Sequence, residues 1–281
     1  MTAIGLALAS AVLFGAMSVA LRFALREGAS AEAGALLTAV PALAVVLVFA
    51  LAHGLHDVLS AWPFALAGLV APGASQILFT LAVRDAGPSR TSVLVGTAPL
   101  FSVALALLFL DEPLVPALVG GAVLIVAGGA LLVGERVRPE TFRLVGYAFA
   151  LAATVLFAVR DNLLRWLAVD TDVPASLAAV ATLGSGTLLV AAFTMARGRL
   201  SFRGARTFAL AGAFFGLSYV ALFEAYYRGR VTVVSPLIAT ESLFGVLFSA
   251  LVIRRAELIG KGLVAGAALI VAGGALIGAF R

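Results

Sequence analysis

The chain has no cysteine, a single lysine (Lys261), two histidines and only 12% charged residues across 281 positions. Without cysteine there is no disulfide framework, no thiolate nucleophile and no thiolate-ligated metal site. Charge this sparse, beside 63% hydrophobic residues and a mean hydropathy of +1.14, requires most of the surface to face lipid or other helices, not water. No GxxxxGKS/T loop is present, which argues against an ATP-driven pump within this chain. The net charge of +5 comes from arginines gathered in short loops, a pattern of membrane orientation and not of nucleic-acid binding. No basic stretch precedes the apolar run from Ala3 to about Leu21, so that run reads as a first span and not as a cleaved signal.

A bilayer core about 30 Å thick needs roughly 20 apolar residues per helix. Reading between charged or Gly/Pro-marked breaks predicts ten spans, near 2–24, 33–52, 62–83, 91–110, 114–134, 143–168, 175–196, 205–227, 231–253 and 258–280. Breaks such as Arg84-Asp85-Ala86-Gly87-Pro88 and Asp111-Glu112-Pro113 are too polar to cross hydrocarbon. Backbone groups must be satisfied internally in lipid, so these segments are helices; a barrel would show ten-residue alternating strands.

The string Leu-Ile-Val-Ala-Gly-Gly-Ala-Leu occurs at 124–131 and again at 269–276, 145 positions later. Val12-Leu13-Phe14 likewise matches Val155-Leu156-Phe157 at an offset of 143, which lays Arg22 on Arg165, Thr97 on Thr240 and Phe101 on Phe244. The chain is therefore a fused duplication. Its expected organisation is a first repeat over 1–134, a linker over 135–142 and a second repeat over 143–281. Five spans per half is an odd number, so the second half crosses the membrane in the opposite sense. Inverted repeats of this kind place a substrate site on their pseudo-symmetry axis. By this assignment fourteen of the nineteen basic residues follow odd-numbered spans; the positive-inside rule puts those loops in the cytoplasm and both termini outside.

Five plus five spans with these repeat endings resemble the drug/metabolite transporter superfamily, specifically its EamA-type carriers. The resemblance covers essentially the whole chain. It rests on Phe14-Gly15 where the family favours Trp-Gly, on Ala82-Val83-Arg84 and Ala225-Tyr226-Tyr227 ending the third and eighth spans, and on Pro99. Glu112 and Glu257 after the fourth and ninth spans and the Gly-rich fifth and tenth spans complete it. The chain departs at Asp111 and Ala256, where the family has Gly before the acid, and at Ser242, which stands where the first repeat has Pro99. The resemblance implies export of amino acids or small metabolites, cytoplasmic termini, and a central cavity built from spans 1, 3, 4, 6, 8 and 9. The implied location is the inner or plasma membrane of a prokaryote.

Ionisable groups inside a bilayer cost several kcal/mol unless they face a cavity or a partner. Glu241, between Thr240 and Ser242 in the ninth span, is placed to bind and release a proton; its structural alternative is a bond to an arginine. Asp161 and Arg165 are four residues apart on one helical face and are able to neutralise each other, which leaves Arg160 for a substrate carboxylate or for Glu241. Glu224, near Tyr226 and Tyr227, is a second candidate acid. Ser18, Gln76, Thr80, Thr97, Ser218 and Tyr219 are candidate lining groups, against the ordinary reading of Ser and Thr as backbone-bonded helix residues. Phe101 and Phe244 are candidate gates or plain packing, and Pro99 and Pro236 candidate hinges or plain kinks. Gly262, Gly266, Gly274 and Gly278 have spacing for close helix approach, as scaffold or a dimer face. His53 and His56 read as a solvated loop, and Glu112 and Glu257 as caps of the fifth and tenth spans.

The expected protein is an all-α polytopic carrier of a small molecule in a lipid bilayer, monomer or homodimer, with no cofactor, no metal and no nucleic-acid partner. Drugs or hydrophobic metabolites are the alternative substrates to amino acids. A channel or a scaffold is the alternative class. An intramembrane enzyme would need a nucleophile with its base, and there is no cysteine and no intramembrane histidine to supply one.

Overall fold

The computed structural model describes residues 2–54, 57–109, 116–134, 142–169, 171–253 and 260–279. His56, Glu112, Glu257 and linker positions 135–141 lie outside the described residues. The described residues form thirteen α-helices and no strand. They are α1 (Ala3–Leu25), α2 (Ala31–His53), α3 (Trp62–Gly68), α4 (Ser75–Ala86), α5 (Pro88–Val95), α6 (Ala98–Phe109) and α7 (Pro116–Gly134). The second half holds α8 (Val145–Val169), α9 (Ala175–Ala196), α10 (Ala205–Arg228), α11 (Val231–Ile238), α12 (Glu241–Phe248) and α13 (Lys261–Ala279).

Among the described residues, eight stretches are long and apolar enough to cross a membrane. Two of these are built from paired half-helices: α5 with α6, and α11 with α12. A third joins α3 to α4 through a wide turn over Leu69–Ala74, in which Ala71 is extended (φ −147°, ψ 121°). The remaining apolar helices, α7 and α13, pack chiefly on one another.

The two halves interlock instead of lying side by side. Helix α1 of the first half packs most on α10 of the second, and α8 of the second packs on α4 of the first. Symmetry reaches individual atoms. Arg22 Nη1 donates to the carbonyls of Val83 (3.2 Å) and Arg84 (2.7 Å). Arg165 Nη1 donates to the carbonyl of Tyr226 (3.1 Å), and 226 is 83 plus the offset of 143. Each arginine thus satisfies carbonyls at the end of the third span of its own half, which a helix terminus otherwise leaves open.

The octapeptide repeat lies where α7 meets α13. A Cβ on Gly128 would come within 2.6 Å of the Gly266 carbonyl oxygen and 2.8 Å of Ile270; one on Gly273 would come within 2.5 Å of the Gly121 carbonyl oxygen and 2.9 Å of Ile125. These are the same contacts read at an offset of 145. Backbones approach this closely only at residues without side chains. Gly266 is spent on this internal contact, and Gly274 faces Pro236 in the same way.

Candidate functional site

A cavity of about 30 Å³ lies in the middle of the bundle. Its walls come from α1 (Ser10, Phe14), α5 and α6 (Val95, Ala98), α8 (Phe157, Arg160, Asp161), α10 (Tyr219, Leu222), and α11 and α12 (Ser235, Ile238, Ala239, Glu241). No residue of the third span lines it. The offset of 143 pairs Phe14 with Phe157, Val95 with Ile238 and Ala98 with Glu241 across the cavity. The site is therefore built about the relation between the halves.

Arg160, Asp161 and Glu241 are 5%, 2% and 3% exposed. The Arg160 guanidinium donates from Nε (3.0 Å) and Nη2 (2.7 Å) to Asp161 Oδ1, and from Nη1 to the Tyr219 hydroxyl at 3.3 Å. Its plane lies over the rings of Phe157 (5.0 Å) and Tyr219 (5.6 Å), where cation–π attraction adds to the ion pair. Tyr226, which is fully buried, stands beside Asp161 and Ser235. The partner of Asp161 is thus its chain neighbour Arg160, and not Arg165 four residues on. Consecutive residues on a helix do not face each other, but a long arginine stem curls back across the gap. Arg165 is held instead at the Tyr226 carbonyl.

With Arg160 committed to Asp161, Glu241 is the charged group of the cavity left over. Its Oε1 is buried and has no hydrogen-bond partner among the described residues, while the charges of Arg160 and Asp161 act on it. Glu241 is the first residue of α12, so the positive end of that helix dipole favours a carboxylate there.

The helix breaks that create this terminus are repeat-related. Residues Gly96 and Thr97 separate α5 from α6, and Ala239 and Thr240 separate α11 from α12. In both, the threonine hydroxyl donates to the carbonyl three residues back, Leu94 or Leu237, each at 2.6 Å. A side chain thereby takes over a backbone bond that the break forfeits. Pro99 falls in the first turn of α6, and Pro236 sits inside α11. The two prolines flank the breaks without being repeat partners.

Of the sequence candidates, Glu241, Arg160, Asp161 and Tyr219 converge on the cavity, and Thr97 and Thr240 mark the breaks beside it. Glu224 is bonded to Arg228 one helical turn along α10 and does not line the cavity. Ser18 donates to the Gly15 carbonyl (2.8 Å) and meets Ser92 at 3.3 Å. Ser218 bonds Ser10 across α1 and α10. Thr80 donates to the Gln76 carbonyl, and the Gln76 side chain is buried away from the cavity. Phe101 and Phe244 are half-buried and outside the lining, Phe244 stacking on Phe248. His53 bonds the Phe49 carbonyl at 2.8 Å and lies against the Phe49 ring. Sequence reading missed Ser10, Ser235 and the aromatic walls Phe14 and Phe157; the coincidence of the two phenylalanines in the repeat was the available signal.

A family model described as "EamA-like transporter family" matches residues 1–134 and 144–279. A solved crystal structure of a protein, one of eighteen solved chains that match, superposes with a TM-score of 0.66 at 23% identity, covering 95% of this chain and 96% of that chain. At that identity the likeness shows the fold. No curated protein matches the chain at the level of sequence.

Proposed function

The chain belongs to the EamA-like transporter family, and on that premise we propose that it exports a small amine-bearing metabolite, amino acids foremost, in exchange for protons. The carrier is a polytopic protein of a prokaryotic plasma membrane, with ten spans as two inverted repeats over 1–134 and 143–281, and it works by alternating access between them. The carrying observation is the Glu241 Oε1, unpartnered among the described residues, in a cavity whose arginine is already neutralised by Asp161. With Glu241 ionised the cavity holds one net negative charge, which a substrate ammonium or a proton relieves in turn. Tyr219 and Arg160 Nη1 then face the carboxylate end of an amino acid.

A single water needs about 10–15 Å³ of such space, so a cavity of about 30 Å³ admits two or three waters and not an amino acid. The half-helix breaks next to Glu241 are where the walls can part. The second reading, export of hydrophobic cations, is favoured by the phenylalanine walls Phe14 and Phe157.

The test is a thermal-shift screen of purified protein against amino acids, amines, sugars and cationic drugs, with Glu241→Gln in parallel. Stabilisation of wild type alone by an amine-bearing class is expected. In proteoliposomes, flux of that ligand should follow a pH gradient in wild type and ignore it in Glu241→Gln. Equal ligand stabilisation of both proteins removes Glu241 from the site, and gradient-independent wild-type flux removes the proton exchange.

A further inference from the structure

Gln76 is 1% exposed, and neither its amide nitrogen nor its amide oxygen has a hydrogen-bond partner among the described residues. The hydroxyl of Ser75 beside it is in the same condition. Burying an amide without partners is costly enough that such groups are rare in a finished structure. Three further features concern the same place. The offset of 143 lays Gln76 on Tyr219, the residue that holds Arg160 in the cavity. The cavity is lopsided: four of its thirteen lining residues come from the first half and nine from the second, and the third span, the counterpart of α10, contributes none. And the span carrying Gln76 is interrupted just before it, at Leu69–Ala74, whereas its counterpart α10 runs unbroken from Ala205 to Arg228.

Resting on the alternating-access reading above, we propose that Gln76 is a substrate-contacting residue of the alternate state of the carrier, brought into the cavity by movement of α4 about the Leu69–Ala74 break. Alternating access rocks one repeat against the other around the shared site, and in a duplicated chain the alternate state gives each element the surroundings of its repeat partner. The present state uses the second-half set Arg160, Asp161 and Tyr219. The alternate state uses the first-half equivalents Met17, Ser18 and Gln76, whose only strong hydrogen-bonding group is the Gln76 amide. That amide offers two donors and an acceptor without charge, so it serves both ends of a zwitterion and holds it less tightly than the charged set. The face towards which the Gln76 state opens is the release face.

The absence of cysteine makes this directly measurable. Gln76→Cys and Tyr219→Cys are each made in the native background and reconstituted into proteoliposomes of known sidedness. The probe is a membrane-impermeant cationic methanethiosulfonate added from one face at a time. Tyr219→Cys and Gln76→Cys should label preferentially from opposite faces, each by about tenfold, the ratio that a population bias near 1.4 kcal/mol produces. Labelling of Tyr219→Cys from one face, with Gln76→Cys inert from both, overturns the role of Gln76 while keeping the carrier. Failure of both cysteines from both faces overturns alternating access itself, and the role of Gln76 with it. Gln76→Leu supplies the second measurement: it should raise Tm and reduce flux about tenfold or more. Unchanged flux in a folded Gln76→Leu protein overturns the proposal.

Discussion

At the scale of residues, the Arg160–Asp161 pair sets the character of the cavity because it removes the arginine from competition for Glu241. A pair this deeply buried is costly to break from one side. Asp161→Asn leaves a guanidinium without a counter-charge and should destabilise the protein by about 3–5 kcal/mol, read as a lowered Tm in detergent. If Asp161→Asn unfolds at the wild-type temperature, Arg160 has another counter-charge, Glu241 being the nearest available. The sequence made Glu241 legible, since a lone acid in the otherwise uncharged stretch 231–253 has few explanations. It did not make the pairing legible. Helical spacing pointed from Asp161 to Arg165, whereas the stem length of Arg160 and the carbonyl waiting at Tyr226 decided otherwise.

At the scale of elements, apolar length located the spans to within a few residues: the expected 175–196 is α9 as it stands, and 2–24 is α1 displaced by one position. Interruptions inside the spans were harder. Pro99 and Pro236 drew attention to the right helices, yet the chain breaks at Gly96–Thr97 and Ala239–Thr240, where threonine hydroxyls replace backbone donors. The break at Ala71 left no mark in hydropathy at all, because an irregular turn buried among helices is as apolar as a regular one. The Phe14-Gly15 pair now has a physical reading. Phe14 forms cavity wall, and Gly15 lets α1 approach α12 so closely that a Cβ there would lie 2.8 Å from the Phe244 Cβ. Gly15→Val should cost about 1–3 kcal/mol by overpacking and should slow flux, since it wedges α1 away from the half-helix that begins with Glu241. Wild-type Tm and flux in that variant would show that the contact has room to spare.

At the scale of the whole molecule, the duplicated octapeptide joins the halves through α7 and α13. Its glycines make the same contact twice, Gly128 on Gly266 and Ile270, Gly273 on Gly121 and Ile125. Gly128→Val and Gly273→Val should therefore lower Tm by similar amounts, each by the equivalent of about 1–3 kcal/mol. Thermal unfolding of both variants checks this, and a large loss in only one would mean that the two helices do not share the contact equally. Duplication was the most legible property of the sequence because identical strings need no physics to be seen. The lopsided cavity was illegible for the opposite reason, as it depends on charges that only one copy carries.

That lopsidedness bears on why the two halves travel as one polypeptide. A pair of identical second halves would crowd two arginines and four carboxylates around a single axis. A pair of identical first halves would offer Met17, Ser18 and Ala98 twice over and no charge to work with. Covalent fusion fixes the composition at one of each, so every molecule has one charged wall and one uncharged wall, and either wall can change without the other.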